Sequence, residues 1–123
     1  MTPEQLTEQL QKLLGDQLKS VMLYGSAAAG DHAGKKSDFN VLVVLDRLGT
    51  GELGALGPVA MRWQKAGNPP PLLFTLDRLQ ASADVFPIEL LDIRECHRVL
   101  HGEDVMEALE LNRDNLRVEL EHE

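Results

Sequence analysis

Hydrophobic and polar positions alternate along this chain in two different rhythms, and the rhythm predicts the elements. Thr2-Pro3-Glu4-Gln5 reads as a helix start, with Thr2 as N-cap, Pro3 at the first helical position and Gln5 completing a capping box. Leu6, Leu10, Leu13 and Leu14 then recur at helical spacing up to Gly15, which is placed to end the helix. A short apolar run, Lys19 to Tyr24, predicts a strand. After the small-residue stretch AAAGDHAGKKS comes a second run, Phe39 to Leu45, whose apolar residues fill both alternating sets: Phe39, Val41, Val43 and Leu45 on one side, Leu42 and Val44 on the other. Such a strand is covered on both faces and belongs in the interior of its sheet.

Beyond it, Leu53, Leu56, Ala60 and Trp63 keep a near-helical period to Lys65, and Gly67-Asn68-Pro69-Pro70 supplies the stop. Pro58 is expected early in that helix, where a missing N–H costs least. Leu72 to Thr75 predicts a third strand, Leu76 to Ser82 a short helix, and Phe86 to Ile93 a fourth strand with Pro87 near its beginning. From Val105 onward the chain is polar and helix-forming, with Leu109, Leu116 and Leu120 among Glu, Arg and Asn. No cap closes that last helix at Glu121-His122-Glu123, which fits either a frayed natural terminus or a cut within the helix of a longer protein.

At 123 residues the chain is expected to form a single domain, residues 1–123. With 43% hydrophobic and 26% charged residues the composition is globular, and no apolar run approaches the roughly 20 residues that cross a membrane. The start lacks the features of a secretory signal, and the one cysteine, Cys96, has no internal partner, so a reducing cytoplasm is the expected location. A net charge of -8 repels polyanions, which makes nucleic acid an unfavourable partner.

Three places could carry chemistry. Gly25-Ser26 ends the first strand, where a residue without a Cβ lets the backbone approach a ligand while N–H groups and a hydroxyl hold phosphate oxygens; an ordinary turn glycine is the plain alternative. Asp38 and Asn40 lie two apart at the head of the second strand, so they face together as a paired oxygen site while Phe39 points into the opposite layer. Polar capping of a buried strand would leave the same pattern. Glu89, between Ile88 and Leu90 in the fourth run, needs a partner, a metal or a raised pKa if buried, and none of these at a sheet edge open to water. Lys35 and Lys36, just before the second strand, could be a pair of solvated loop lysines. His32 reads as a surface histidine, Trp63 as core or interface, and Cys96 and His97 as neighbours that point apart.

Taken together, Gly25-Ser26, Gly30, Ser37-Asp38-Phe39-Asn40 and the apolar continuation Val41 to Val44 resemble the DNA polymerase β-like nucleotidyltransferase superfamily, in its minimal form. The resemblance covers roughly residues 19–93. It implies an α+β fold with a mixed sheet of about four strands flanked by helices, and transfer of a nucleoside monophosphate from an NTP to a hydroxyl of a small molecule or protein. It also implies roles: Gly25, Ser26 and Lys36 for the phosphates, Asp38, Asn40 and Glu89 for Mg²⁺, and Asp38 and Glu89 for catalysis. Where the pattern has a second Asp this chain has Asn40, which weakens the implied Mg²⁺ site, and the spacing from Gly25 to Asp38 is one residue longer than in common members. A catalytically inactive nucleotide sensor or an antitoxin-like interaction module is the alternative. The fold type further implies a homo-oligomer or a helical partner protein, with 123 residues serving as the core of a longer protein or as half of a site.

Overall fold

The computed structural model describes residues 2–25 and 39–109. Helix α1 spans Pro3–Leu14. Its capping box is formed: the Gln5 N–H donates to Thr2 Oγ1 (3.1 Å) and the Thr2 N–H to Gln5 Oε1 (2.9 Å). Gly15, at φ 55°, ends it. Strand β1 is Leu18–Tyr24 and β2 is Asn40–Leu45. Helix α2 runs Thr50–Lys65, β3 is Leu72–Thr75, α3 is Leu76–Val85, α4 is Pro87–Glu95, β4 is His97–Gly102 and α5 is Val105–Ala108.

The sheet order is β3-β2-β1-β4. β1 pairs antiparallel with both β2 and β4, whereas β2 and β3 are parallel, joined by the crossover through α2. The result is the mixed α+β sheet flanked by helices that the resemblance implied, with β2 in the interior.

Alternation along the two inner strands feeds two cores. Val41, Val43 and Leu45 of β2, with Val21 and Leu23 of β1, pack under Leu6, Leu10 and Leu14 of α1 and Leu56, Val59 and Trp63 of α2. Leu42 and Val44, with Met22, pack on the other side against Leu79 and Ala83 of α3, Leu90 of α4, and Val105 and Met106 of α5. Residues 41–45 are all buried, as a strand without a polar face demands.

Two expectations are corrected. The run Phe86 to Ile93 is helix, not strand. Proline is as acceptable at a helix start as at a strand edge, and Pro87 takes that first position. The apolar residues then work at helical spacing, with Pro87 and Leu90 buried and Ile93 against the second core. The fourth strand follows instead in the polar segment His97–Gly102. Edge position explains it, because β4 borders only β1 and tolerates charged side chains. Pro58 also lies mid-helix, since α2 begins at Thr50; the proline stands four residues after Gly54, the carbonyl its ring leaves unbonded.

Trp63 is fully buried in the first core, and its indole N–H donates to the Pro69 carbonyl (3.0 Å). Trp63→Ala should lower unfolding stability by about 3–5 kcal/mol, read by chemical denaturation. A loss below 1 kcal/mol would show that the site is less tightly packed than described.

Candidate functional site

One end of the sheet gathers the ends of three strands. Tyr24, the last residue of β1, pairs with Asn40 at the start of β2 and with His97 at the start of β4. Directly opposed residues of antiparallel strands share a face. Tyr24 packs against the second core, so Asn40, Tyr24 and His97 form a polar row on the side of the sheet carrying α3, α4 and α5. Phe39 goes the other way, joining the first core with its ring centroid 6.3 Å from that of Trp63.

The head of β2 is held from the α2–β3 turn. The Phe39 N–H donates to Asn68 Oδ1 (3.4 Å), and the Asn68 amide donates to the Trp63 carbonyl (3.3 Å). The glycine- and proline-rich stop after α2 therefore also positions Asn40. Next to the row, Gly25 continues β1 at φ 84°, a left-handed conformation that glycine adopts without strain. A Cβ there would stand 3.1 Å from Asn40 Nδ2. The Gly25 N–H donates to the Cys96 carbonyl (3.2 Å), and the Cys96 thiol donates to the Gly25 carbonyl (3.3 Å). The start of the expected phosphate-gripping turn is thus tied by two bonds to the α4–β4 junction.

Of the residues singled out from sequence, Gly25 and Asn40 come together. Ser26, Lys36 and Asp38 lie outside the described residues, as do His32 and Lys35. Glu89 is in the first turn of α4 and exposed, so the expectation of a carboxylate on a fourth strand does not hold. The helical turn carries Glu89 outward beside buried Leu90, and an acidic residue there complements the helix dipole without any buried partner. Glu89 precedes Cys96 by seven residues, about 10 Å of helix rise. Among the described residues, none of the four strands carries a carboxylate.

Sequence reasoning passed over Tyr24 and the surroundings of His97. Cys96 and His97 do diverge: the thiol turns to Gly25, while His97 Nε2 lies 2.8 and 3.0 Å from the two carboxylate oxygens of Asp104. The His97 Nδ1–H donates to the Arg94 carbonyl (2.7 Å). The signal was only a polar residue at the end of each strand, which solvated strand ends also show. Partial burial pushes the Tyr24 phenol above its ordinary value of 10.0.

No family model matches this chain. No curated protein matches it either. Solved structures do. A chain of a mutant MntA-HpeT toxin-antitoxin complex matches with a TM-score of 0.58 at 18% identity, over 99% of this chain and 90% of that one. A toxin-antitoxin structure with AMP-PNP gives 0.55 at 18% identity, over 98% and 87%. Spectinomycin adenyltransferase AAD(9) from Enterococcus faecialis, with ATP and spectinomycin, gives 0.57 at 13% identity, over 95% of this chain and 64% of that one. Identities this low speak for the fold alone. That fold is the one the sequence resemblance implied, the minimal nucleotidyltransferase fold.

Two outcomes follow from the geometry. Gly25→Ala should cost about 1–3 kcal/mol in denaturant unfolding, from left-handed backbone strain and the contact with Asn40. An unchanged midpoint would show that the turn relaxes freely. Tyr24 is the single tyrosine, so its ionisation can be followed by ultraviolet absorbance. Because the folded-state pKa is raised, the unfolded chain loses this proton first; stability should therefore fall as pH climbs from 10.0 through the folded-state value. An apparent pKa at or below 10.0 would contradict the burial argument.

Proposed function

We propose that this protein binds an NTP with Mg²⁺ at the Gly25–Asn40 end of the sheet and transfers a nucleoside monophosphate to a hydroxyl of a small molecule or protein. The observation that carries the reading is the pairing of a left-handed glycine at the end of β1 with Asn40 at the head of β2, on a nucleotidyltransferase fold. Gly25 and Ser26 would meet the phosphates with backbone N–H groups and a hydroxyl, and Lys36 would add charge. The ATP held by AAD(9) and the AMP-PNP in the toxin-antitoxin structure support an adenine nucleotide as the first to test.

The donors suit one Mg²⁺ better than two. Asn40 offers a hard but neutral amide oxygen, and Mg²⁺ is content with one or two carboxylates beside substrate phosphates and water. Asp38 and Asn40 would hold the ion, which when bound neutralises triphosphate charge. Glu89 remains the proposed further ligand or general base, from the exposed first turn of α4. A second reading, nucleotide binding without transfer, draws on the neutral Asn40 where a carboxylate would bind Mg²⁺ more strongly. The toxin-antitoxin complexes among the structural neighbours support a protein partner, either a helical protein or a second copy of this chain.

Calorimetric titration with ATP, GTP, CTP and UTP in the presence of Mg²⁺ should give saturable heat for at least one. Silence from all four would end both readings. Asn40→Asp should tighten Mg²⁺-dependent binding by about tenfold or more, because a charged ligand replaces a neutral one. With labelled nucleotide and candidate acceptors, turnover in the natural sequence that Asp38→Ala abolishes supports transfer, and turnover indifferent to both Asp38→Ala and Glu89→Gln refutes the assignment. Binding with turnover only in Asn40→Asp would favour the second reading.

A further inference from the structure

His97, Asp104 and Glu107 stand outside the nucleotide reading, and their ligating atoms all lie within 4.8 Å of one another. The His97 side chain is 6% exposed, so its ring is held in a fixed place at the start of β4. The Arg94 carbonyl, 2.7 Å from Nδ1, can only accept a hydrogen bond, so Nδ1 carries its proton. That leaves Nε2 directed at the Asp104 carboxylate, at 2.8 and 3.0 Å from its oxygens. A ring nitrogen and a carboxylate at that separation require positive charge between them, either a proton or a metal ion. A histidine whose other nitrogen is pinned by a backbone carbonyl has the arrangement by which proteins orient a metal ligand.

Asp104 is fixed as well, since it caps α5 by accepting from the Glu107 N–H (3.2 Å). The same turn of helix places the Glu107 carboxylate over the pair, exposed to solvent and open to an arriving ion.

We propose that His97, Asp104 and Glu107 bind a divalent first-row transition-metal ion. The nitrogen argues against Mg²⁺ and Ca²⁺, which take oxygen ligands. Sites of this kind mix one imidazole nitrogen with carboxylate oxygens and keep positions for water, which suits first-row ions such as Mn²⁺ and Ni²⁺. His97 Nε2 and the Asp104 oxygens, 2.8 and 3.0 Å apart, are already close enough to share one ion in place of a proton. The Glu107 carboxylate is within 4.8 Å of both partners and exposed, so a small movement of its side chain brings it to the same ion. Water would fill the remaining positions. The ion would clasp β4 to α5 one residue from Cys96, whose backbone and thiol hold Gly25.

The test is titration of the full chain with Ni²⁺ by calorimetry and with Mn²⁺ by electron paramagnetic resonance, with Mg²⁺ as competitor. One ion per chain, undisturbed by excess Mg²⁺ and raising Tm, is expected. Glu107→Gln alters an exposed side chain and should weaken binding by roughly tenfold or more, while His97→Gln should abolish it. The fold of each variant is checked by circular dichroism, and if His97→Gln does not fold, Glu107→Gln decides alone. No binding by the natural sequence, or binding unchanged in Glu107→Gln, overturns the site. Because these readouts need no nucleotide, they are independent of the outcome of the NTP titrations.

Discussion

A strand in which residues 41–45 are all apolar has no face to offer water, and the rest of the architecture answers that constraint. β2 must have a strand on each edge, which β1 and β3 supply, and helices over both surfaces, which α1 and α2 supply on one side and α3, α4 and α5 on the other. Each fully buried Val or Leu contributes on the order of 1.5–3 kcal/mol relative to exposure, so the strand is a large part of the driving force for both cores. The cores meet only through the pleat of the sheet, with Val41, Val43 and Leu45 serving one and Leu42 and Val44 the other.

Polar side chains are consequently displaced to where strands leave the cores. Asn40, Tyr24 and His97 line up at one such end, the first two beside groups remote in sequence and His97 held by groups three and seven residues away. Asn68 and Trp63 hold the approach to Asn40 through Phe39, Cys96 holds Gly25, and Arg94 with Asp104 holds His97. Rigid backbone around a close-approach glycine is what a phosphate-binding turn requires, whereas the amide of Asn40 brings no charge to hold a cation. On the proposed reading, this end of the sheet is better furnished to grip phosphate than to hold two metal ions.

Local chemistry was legible wherever it acts within a few residues. The Thr2–Gln5 capping box, the Gly15 stop, the bounds of the Leu72–Thr75 strand and the burial of Trp63 all came from spacing and residue type. Phe86 to Ile93 was misread because its apolar residues satisfy both a period of two and a period near three and a half, and Pro87 is permitted at the start of either element. His97–Gly102 was missed because an edge strand carries little of the apolar signal that marks an interior one. That exchange also moved Glu89 from an expected strand to an exposed helical turn. Of the candidate site, Gly25 and Asn40 were each legible as polar or glycine positions at strand ends but not as neighbours, and the His97, Asp104 and Glu107 group was not legible, since His97 opens β4 while Asp104 and Glu107 begin α5.

By itself the sequence determined the doubly buried central strand, the helices with one apolar stripe and the glycine-ended first strand, because periodicity and backbone permissiveness are properties of neighbouring residues. The resemblance, spread over roughly residues 19–93, added the class of fold. Only the tertiary structure decided which polar residues share a surface. β4 had to cross to the far edge of β1 before His97 could stand beside Tyr24, and α4 had to end against Gly25 before Cys96 could hold it. Those contacts depend on chain crossings that span most of the molecule, and no local pattern of side chains encodes them.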